Sequence, residues 1–176
     1  MTPREAAPVA DFIATDPLAA FLPTTHGAHQ LAGAQPGRIT ALAPIGPAKG
    51  LPAPGRAQTH ADGIVLWAGH GLWLATGTPP QAVPQTAPQT DETDAWVIVG
   101  LTGPAPDAVL ARLVPIDLRA LNFRPGHVAR TLLGHVAVLI HRPEAAPEAL
   151  EIWLPRSMAA HALNDLASAM RGLAAR

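Results

Sequence analysis

DAWVIVGLTGPAPDAVLARLVPIDL, residues Asp94–Leu118, is the stretch on which the fold turns. Asp94–Leu101 is an apolar run rich in Trp, Val and Ile, the composition of a half-buried strand. Gly103 and Pro104 turn the chain. Pro104 or Pro106 fits an early helical position, where a missing N–H costs little. Ala105–Leu113 then predicts a short helix with Val109, Leu110 and Leu113 on one face, and Pro115 limits it. Working toward the C-terminus, His127–Leu133 and Val136–Ile140 predict two strands meeting around Gly134-His135, and Ala149–Leu154 predicts a third. Ser157 stands where a helix N-cap is expected. The helix it would open runs from about Met158 to Leu173, with Met158, His161, Ala162, Asp165, Leu166 and Met170 along one side. The order is strand, helix, three strands, helix. A doubly wound parallel fold needs regular strand–helix alternation. The expectation is therefore α+β: mostly antiparallel sheets with packed helices.

Toward the N-terminus the pattern repeats faintly. Gly37–Leu42 reads as a strand stopped by Pro44, Gly46 and Pro47. Leu51–Pro54 has no helical periodicity. Asp62–Trp67 and Leu72–Ala75 flank Gly69-His70-Gly71 as a hairpin. This is the strand order of the second half, with prolines in the helix slot and no residue identity to support it. The expected organisation is an irregular segment over 1–36, a strand-rich subdomain over 37–77, a linker or loop over 78–93, and an α+β subdomain over 94–176, together two-lobed. The core of the linker, Thr78–Thr90 (TPPQAVPQTAPQT), is denied regular hydrogen bonding by its prolines.

Composition bounds the function. The 176 residues include 12 Lys and Arg against 13 Asp and Glu, giving a net charge of -1, and only 14% are charged. The usual charged share is about 25%. A chain so poor in charge is expected to be covered by partners. The basic residues are scattered, lysine occurs only at Lys49, and no phosphate-backbone footprint emerges, so nucleic acid is not expected. The absence of cysteine removes disulfides, thiol nucleophiles and thiolate metal sites. No apolar run approaches the roughly 20 residues of a spanning helix. Met1–Ala10 carries no signal-peptide block, so the expected compartment is the cytoplasm.

The search for chemistry is largely negative. Eight histidines are present, but no HExxH occurs and no two share the helical i,i+4 spacing of a zinc enzyme. His161 and Asp165 are one helical turn apart, as in a local surface pair. Ser157 and Ser168 are the two serines, and neither lies in a GxSxG elbow. GLTGP at 100–104 lacks the dinucleotide glycine pattern, and the lysine is not in a P-loop. Asp91, Glu92 and Asp94 read as a solvated loop end. Trp67, Trp73, Trp96 and Trp153 all fall in predicted strands, as core or as contact residues, tryptophan being enriched at buried protein contacts. Arg112, Arg119, Arg124, Arg130 and Arg156 supply arginine to the second half, suited to bidentate contacts.

The second half also resembles a known family. Asp94–Leu118 is similar to the strand–Gly-Pro–helix–PxDL segment of the gamma subunits of heterotetrameric sarcosine oxidase. RPGHVARTLLGHVAVLIHR, Arg124–Arg142, resembles their PG...ARTLLGH segment, and LEIWLPRSMAAHALNDLASAM, Leu150–Met170, their terminal strand and RSMA helix. Weaker matches reach Pro36–Leu42, Pro52–Arg56 and the Trp67–Trp73 hairpin. The resemblance implies a fold like the folate-binding domains of aminomethyltransferases. It implies a noncatalytic subunit supporting an enzyme of the sarcosine oxidase class. That complex demethylates sarcosine oxidatively to glycine and hydrogen peroxide and passes the one-carbon unit to tetrahydrofolate. The implied partners are an alpha subunit as main contact, with beta and delta subunits. FAD, FMN, NAD and tetrahydrofolate are expected in the assembled complex and none in this chain. No catalytic, cofactor-binding or metal residue is assigned. Gly103, Pro104, Asp117, Arg130, Gly134, Arg156 and Ser157 match the family and are expected to hold turns, caps, packing or contacts, with Arg130 and Arg156 in partner or internal ion pairs. Two rivals stand beside this reading: a free-standing folate-binding or one-carbon-transfer protein, drawing on Asp94, Asp117 and Arg130 if they converge, and a structural adaptor using Thr78–Thr90.

Overall fold

The computed structural model describes residues 18–80, 83 and 87–175. Residues 1–17 of the N-terminal segment and five residues of the Thr78–Thr90 tract (81, 82 and 84–86) lie outside them. Two antiparallel sheets carry the fold. One has six strands: β1 (Thr24–His26), β2 (His29–Ala34), β8 (Trp96–Thr102), β9 (Val128–Leu133), β10 (Val136–His141) and β11 (Leu150–Pro155). Their spatial order is β1-β2-β8-β11-β10-β9. The other has β3 (Ile39–Leu42), β4 (Ala57–His60), β5 (Gly63–Gly69), β6 (Leu72–Thr76) and β7 (Gln89–Asp91), in the order β4-β5-β6-β3-β7. Helices α1 (Pro106–Leu110) and α2 (Ala159–Ala174) complete the elements.

The period of two along each strand sorts the apolar residues into layers. Val97, Val99 and Leu101 of β8, with Leu150, Ile152 and Leu154 of β11, face the helices and pack against Leu163, Leu166 and Met170. Their alternates, Ile98 and Trp153 together with Leu139 and Val128, meet Ile39, Ala41, Leu66 and Leu74 of the second sheet. On that sheet's far side Leu42, Val65, Trp73 and Ala75 are closed over by the loop residues Val83 and Ala87. The order is thus helices, six-stranded sheet, five-stranded sheet, loop cover.

The faint repeat in the sequence is real at the level of topology. The four strands β3, β4, β5 and β6 lie in the order β4-β5-β6-β3, and β8, β9, β10 and β11 in the order β9-β10-β11-β8. Between β8 and β9 stands α1; between β3 and β4 stands the proline-rich loop 43–56. The two units exchange strands. β2, which precedes the first unit, pairs with β8 of the second, and β7, which precedes the second, pairs with β3 of the first. The sheets join where the units correspond. Gly55 (φ +73°) and Gly126 (φ +77°), each preceded by proline, open β4 and β9. The Ala57 N–H donates to Gly126 O and the Val128 N–H to Gly55 O, both at 2.9 Å, making an antiparallel bridge between Arg56 and His127.

Several expectations are corrected. The N-terminal segment is not irregular throughout, because β1 and β2 form in it and fill one side of the six-stranded sheet. The linker is not wholly free of regular structure, because Gln89–Asp91 pairs with β3. Ala57–His60, unassigned in the sequence, is a strand. Ser157 does not cap α2: β11 runs into a 3-10 turn, Arg156–Met158, and the helix opens behind Met158 with no side-chain cap. The buried face of α2 is Ala159, Ala162, Leu163, Leu166, Ala169 and Met170, so Met158, His161 and Asp165 lie off the core side. The first helix is shorter than expected, with 111–113 continuing only as turns.

Candidate functional site

Trp96, the first residue of β8, borders two clefts. Its half-buried indole is held by an Nε1–H donated to Glu92 Oε2 at 2.7 Å. On one side a cleft of about 350 Å³ opens toward Arg156. On the other, about 210 Å³ is lined by Leu72, Ala137, Leu139 and Pro155, with Arg130 among the lining groups. The second cleft exists because the six-stranded sheet outruns the five-stranded one. Arg130, Leu132, Ala137 and Leu139 share the face that elsewhere packs on the second sheet, as the pairs Arg130–Leu139 and Leu132–Ala137 require. Leu132 is left 47% exposed.

The two arginines differ. Arg156 donates its Nε–H to Asp94 O at 2.7 Å, and its guanidinium lies 3.8 Å from the exposed Asp94 carboxylate. Such a surface pair adds little to stability. Arg130 has no carboxylate partner among the described residues; its one protein hydrogen bond reaches Ala68 O at 3.5 Å.

The remaining sequence candidates scatter. Trp73 is core, its Nε1–H donating to Pro52 O at 2.9 Å. Trp153 is buried between the sheets with its Nε1 unpartnered. Trp67 faces Trp73 across β5–β6, half-buried beneath the loop cover. Gly103 (φ +136°) lies so close to Ala28 O and the His29 ring that a Cβ there would sit 2.6 Å from His29 Cδ2. With Pro104 and Pro106 removing N–H groups, this turn makes no phosphate cradle. Gly134 (φ +56°) takes the first place of the β9–β10 turn, a two-residue turn that favours glycine there. Asp117 accepts from Arg119 at 2.9 and 2.6 Å and from Asn122, which hold its carboxyl well below the usual carboxylate range. Asp94, Asp117 and Arg130 therefore do not converge: the first two engage other partners, and Asp117 and Arg130 line different clefts. His161 and Asp165 form a 3.6 Å pair on the exposed side of α2.

Sequence reasoning missed two buried polar groups. Arg142, 3% exposed, donates to the carbonyls of Phe123, Pro147 and Leu118. His141 Nδ1 lies 2.9 Å from Glu151 Oε2. The pattern LIHR, basic residue types directly continuing an apolar strand, was the available signal. Among the described residues no group of three or more His, Cys, Asp or Glu is placed to hold a metal ion. No helix among them is long and apolar enough to cross a membrane.

No family model matches the chain, and no curated protein matches it. Its fold is that of a solved structure. The chain is similar to one in the heterotetrameric sarcosine oxidase from Corynebacterium sp. U-96 in complex with pyrrole 2-carboxylate, with a TM-score of 0.75 and 24% identity over 93% of this chain and 97% of that one.

Proposed function

We propose that the chain is a noncatalytic subunit, counterpart of a gamma subunit, that supports the assembly or stability of a sarcosine oxidase complex. One observation carries this: the likeness to a chain of the heterotetrameric oxidase spans nearly the whole of both chains, so it concerns a complete subunit and not a shared motif. The scattering of polar candidates into separate structural contacts fits a role in assembly. In this reading the alpha subunit is the main contact, with beta and delta subunits completing the tetramer. The oxidation of sarcosine and the sites for FAD, FMN, NAD and tetrahydrofolate belong to those partners. The apolar ledge beside Arg130 is a surface such a partner would cover.

The test is co-expression with the large dinucleotide-binding and flavin-bearing subunits of a heterotetrameric sarcosine oxidase, followed by purification through a tag on this chain. Co-elution in fixed stoichiometry is expected, with loss of assembly or activity when this chain is omitted. A well-folded chain that never joins them, and whose omission leaves assembly and activity intact, sinks the proposal.

A further inference from the structure

We infer that the open edge of β9 receives an extended, acidic and apolar segment of a partner polypeptide as an added strand. β9 ends the six-stranded sheet and, apart from the Val128 N–H bond to Gly55 O at its start, is hydrogen-bonded through its backbone only to β10. The two-residue turn makes Leu133 and Val136 the pair that exchanges hydrogen bonds, and alternation then points the N–H and C=O of residues 128, 130 and 132 away from β10. Val128 fixes the parity, since its outward N–H is taken by Gly55 O. The next two outward positions, Arg130 and Leu132, pair with no strand; β5 comes near β9 at Ala68 and Gly69, beside the Arg130 guanidinium, without hydrogen-bonding this edge through its backbone. Their backbone groups are a template for another strand.

The side chains say which strand. The same two residues present a guanidinium and a half-exposed leucine on the ledge beside the Trp96 cleft. Among the described residues the Arg56 side chain, at the start of the edge, donates only to its neighbour Gly55 O, and the Arg124 side chain, on the approach to β9, only to Leu121 O. None of the three arginines pairs with a carboxylate among the described residues. Glu144 lies against Gly126 and bridges to none of them. Burial, together with the positive field of Arg56 and Arg124, holds the His127 pKa below its ordinary value, consistent with this uncompensated charge. An incoming strand would set a carboxylate at Arg130 and an apolar side chain against Leu132. The inference rests on the assembly reading only for the identity of the partner; the strand-addition chemistry is testable without it.

The probe is a set of acetylated octapeptides titrated into the full chain, each with threonine at every second position: one with glutamate and valine in turn at the positions between (the Val/Glu peptide), one with lysine and valine in turn there (the Val/Lys peptide), and the Val/Glu peptide with N-methylated amides. The Val/Glu peptide is expected to bind at least about tenfold more tightly than the Val/Lys one, as for a charge-assisted contact. N-methylation should abolish binding, and amide exchange should slow at Arg130 and Leu132. Arg130→Glu should invert the Glu/Lys preference, which an unfolded variant could not do. Equal binding of both peptides, no binding of either, or protection at another strand would overturn the inference. So would a dimer of the free chain joined through this edge. Failure of co-purification with oxidase subunits, with the peptide results intact, would instead remove the assembly reading alone.

Discussion

Replacing Arg142 with methionine should cost about 3 kcal/mol of stability and loosen the approach to β9. The side chain is 3% exposed, and its three donors reach Phe123 O at 2.7 Å, Leu118 O at 2.8 Å and Pro147 O at 2.6 Å. Methionine fills much of the same volume but donates nothing. Two of the carbonyls, those of Phe123 and Leu118, are in buried bonds. A buried acceptor left unpaired costs about 1–3 kcal/mol, so the pair costs about 2–6, and relief of the guanidinium's own desolvation returns part of it. The Pro147 bond is only part-buried and water can replace it. At about 2–4 °C per kcal/mol for a chain of this size, the expected fall in midpoint is about 6–12 °C. Arg142→Lys, a single ammonium that reaches fewer carbonyls, should fall between. Arg119→Met, which removes an exposed cation, should leave the midpoint unchanged within error. Denaturant unfolding followed by tryptophan fluorescence measures all three. Amide exchange over residues 118–127 should accelerate in Arg142→Met ahead of global unfolding. A loss below about 1 kcal/mol for Arg142→Met would refute the claim that the three bonds pin these loops.

Other perturbations separate the remaining claims. His127 has its pKa depressed by burial and by Arg56 and Arg124, so the unfolded chain binds its proton more readily; stability from this residue is complete above about pH 6.5 and is lost as pH falls through the lowered folded value. Urea midpoints between pH 7.5 and 5 should drop and should flatten in His127→Gln; an unchanged slope would count against the positive field at β9. Gly71→Ala meets open space and should cost only the left-handed penalty of about 1–2 kcal/mol, whereas a Cβ at Gly77 overlaps the Asp62 carbonyl, so Gly77→Ala should cost clearly more by the same denaturation assay. Residues 94–176 expressed alone lack β2, whose Leu31 is fully buried against the helix-facing side of β8, and should give an undispersed amide NMR spectrum; a dispersed one would show that the strand exchange is dispensable.

What the sequence disclosed follows from where each strand lies. β8, β10 and β11 sit inside the six-stranded sheet with both faces covered over most of their length, so they read as apolar runs bounded by Gly and Pro, and each was legible. The missed strands β1, β4 and β7 are sheet edges, and β2 is next to one. Gln89–Asp91 is exposed at all three positions, and β2 buries only His29 and Leu31 of its six residues. Their pairing is dictated by the neighbouring strand, and no apolar period records it. The cap expected at Ser157 failed for a related reason, since the 3-10 turn moves the helix start past it. Arg142 was illegible because its partners lie on two separate loops, up to 24 residues away in sequence. Arg130 and the tryptophans could be named from sequence, but not which of them would share one cleft.

The internal repeat supplies a comparison the sequence could not. β4 and β9 are equivalent: each ends its sheet, each opens after Pro-Gly, and each returns through a two-residue turn. β4 is short, with Gln58 and Thr59 exposed, which is how native sheets ordinarily blunt an edge. β9 has two more residues and puts Arg130 and Leu132 on its open side. Topology is the same in both units, so it does not explain the difference. Core packing does not explain it either, because both side chains project onto the ledge beyond the second sheet. Local capping offers nothing, since Arg130 finds only a 3.5 Å contact with Ala68 O. A cation and a leucine held on an unpaired edge, beside an apolar cleft, are accounted for if something extended, acidic and apolar lies there in the assembled state. That is also where a chain with so little charge would be expected to spend its apolar surface.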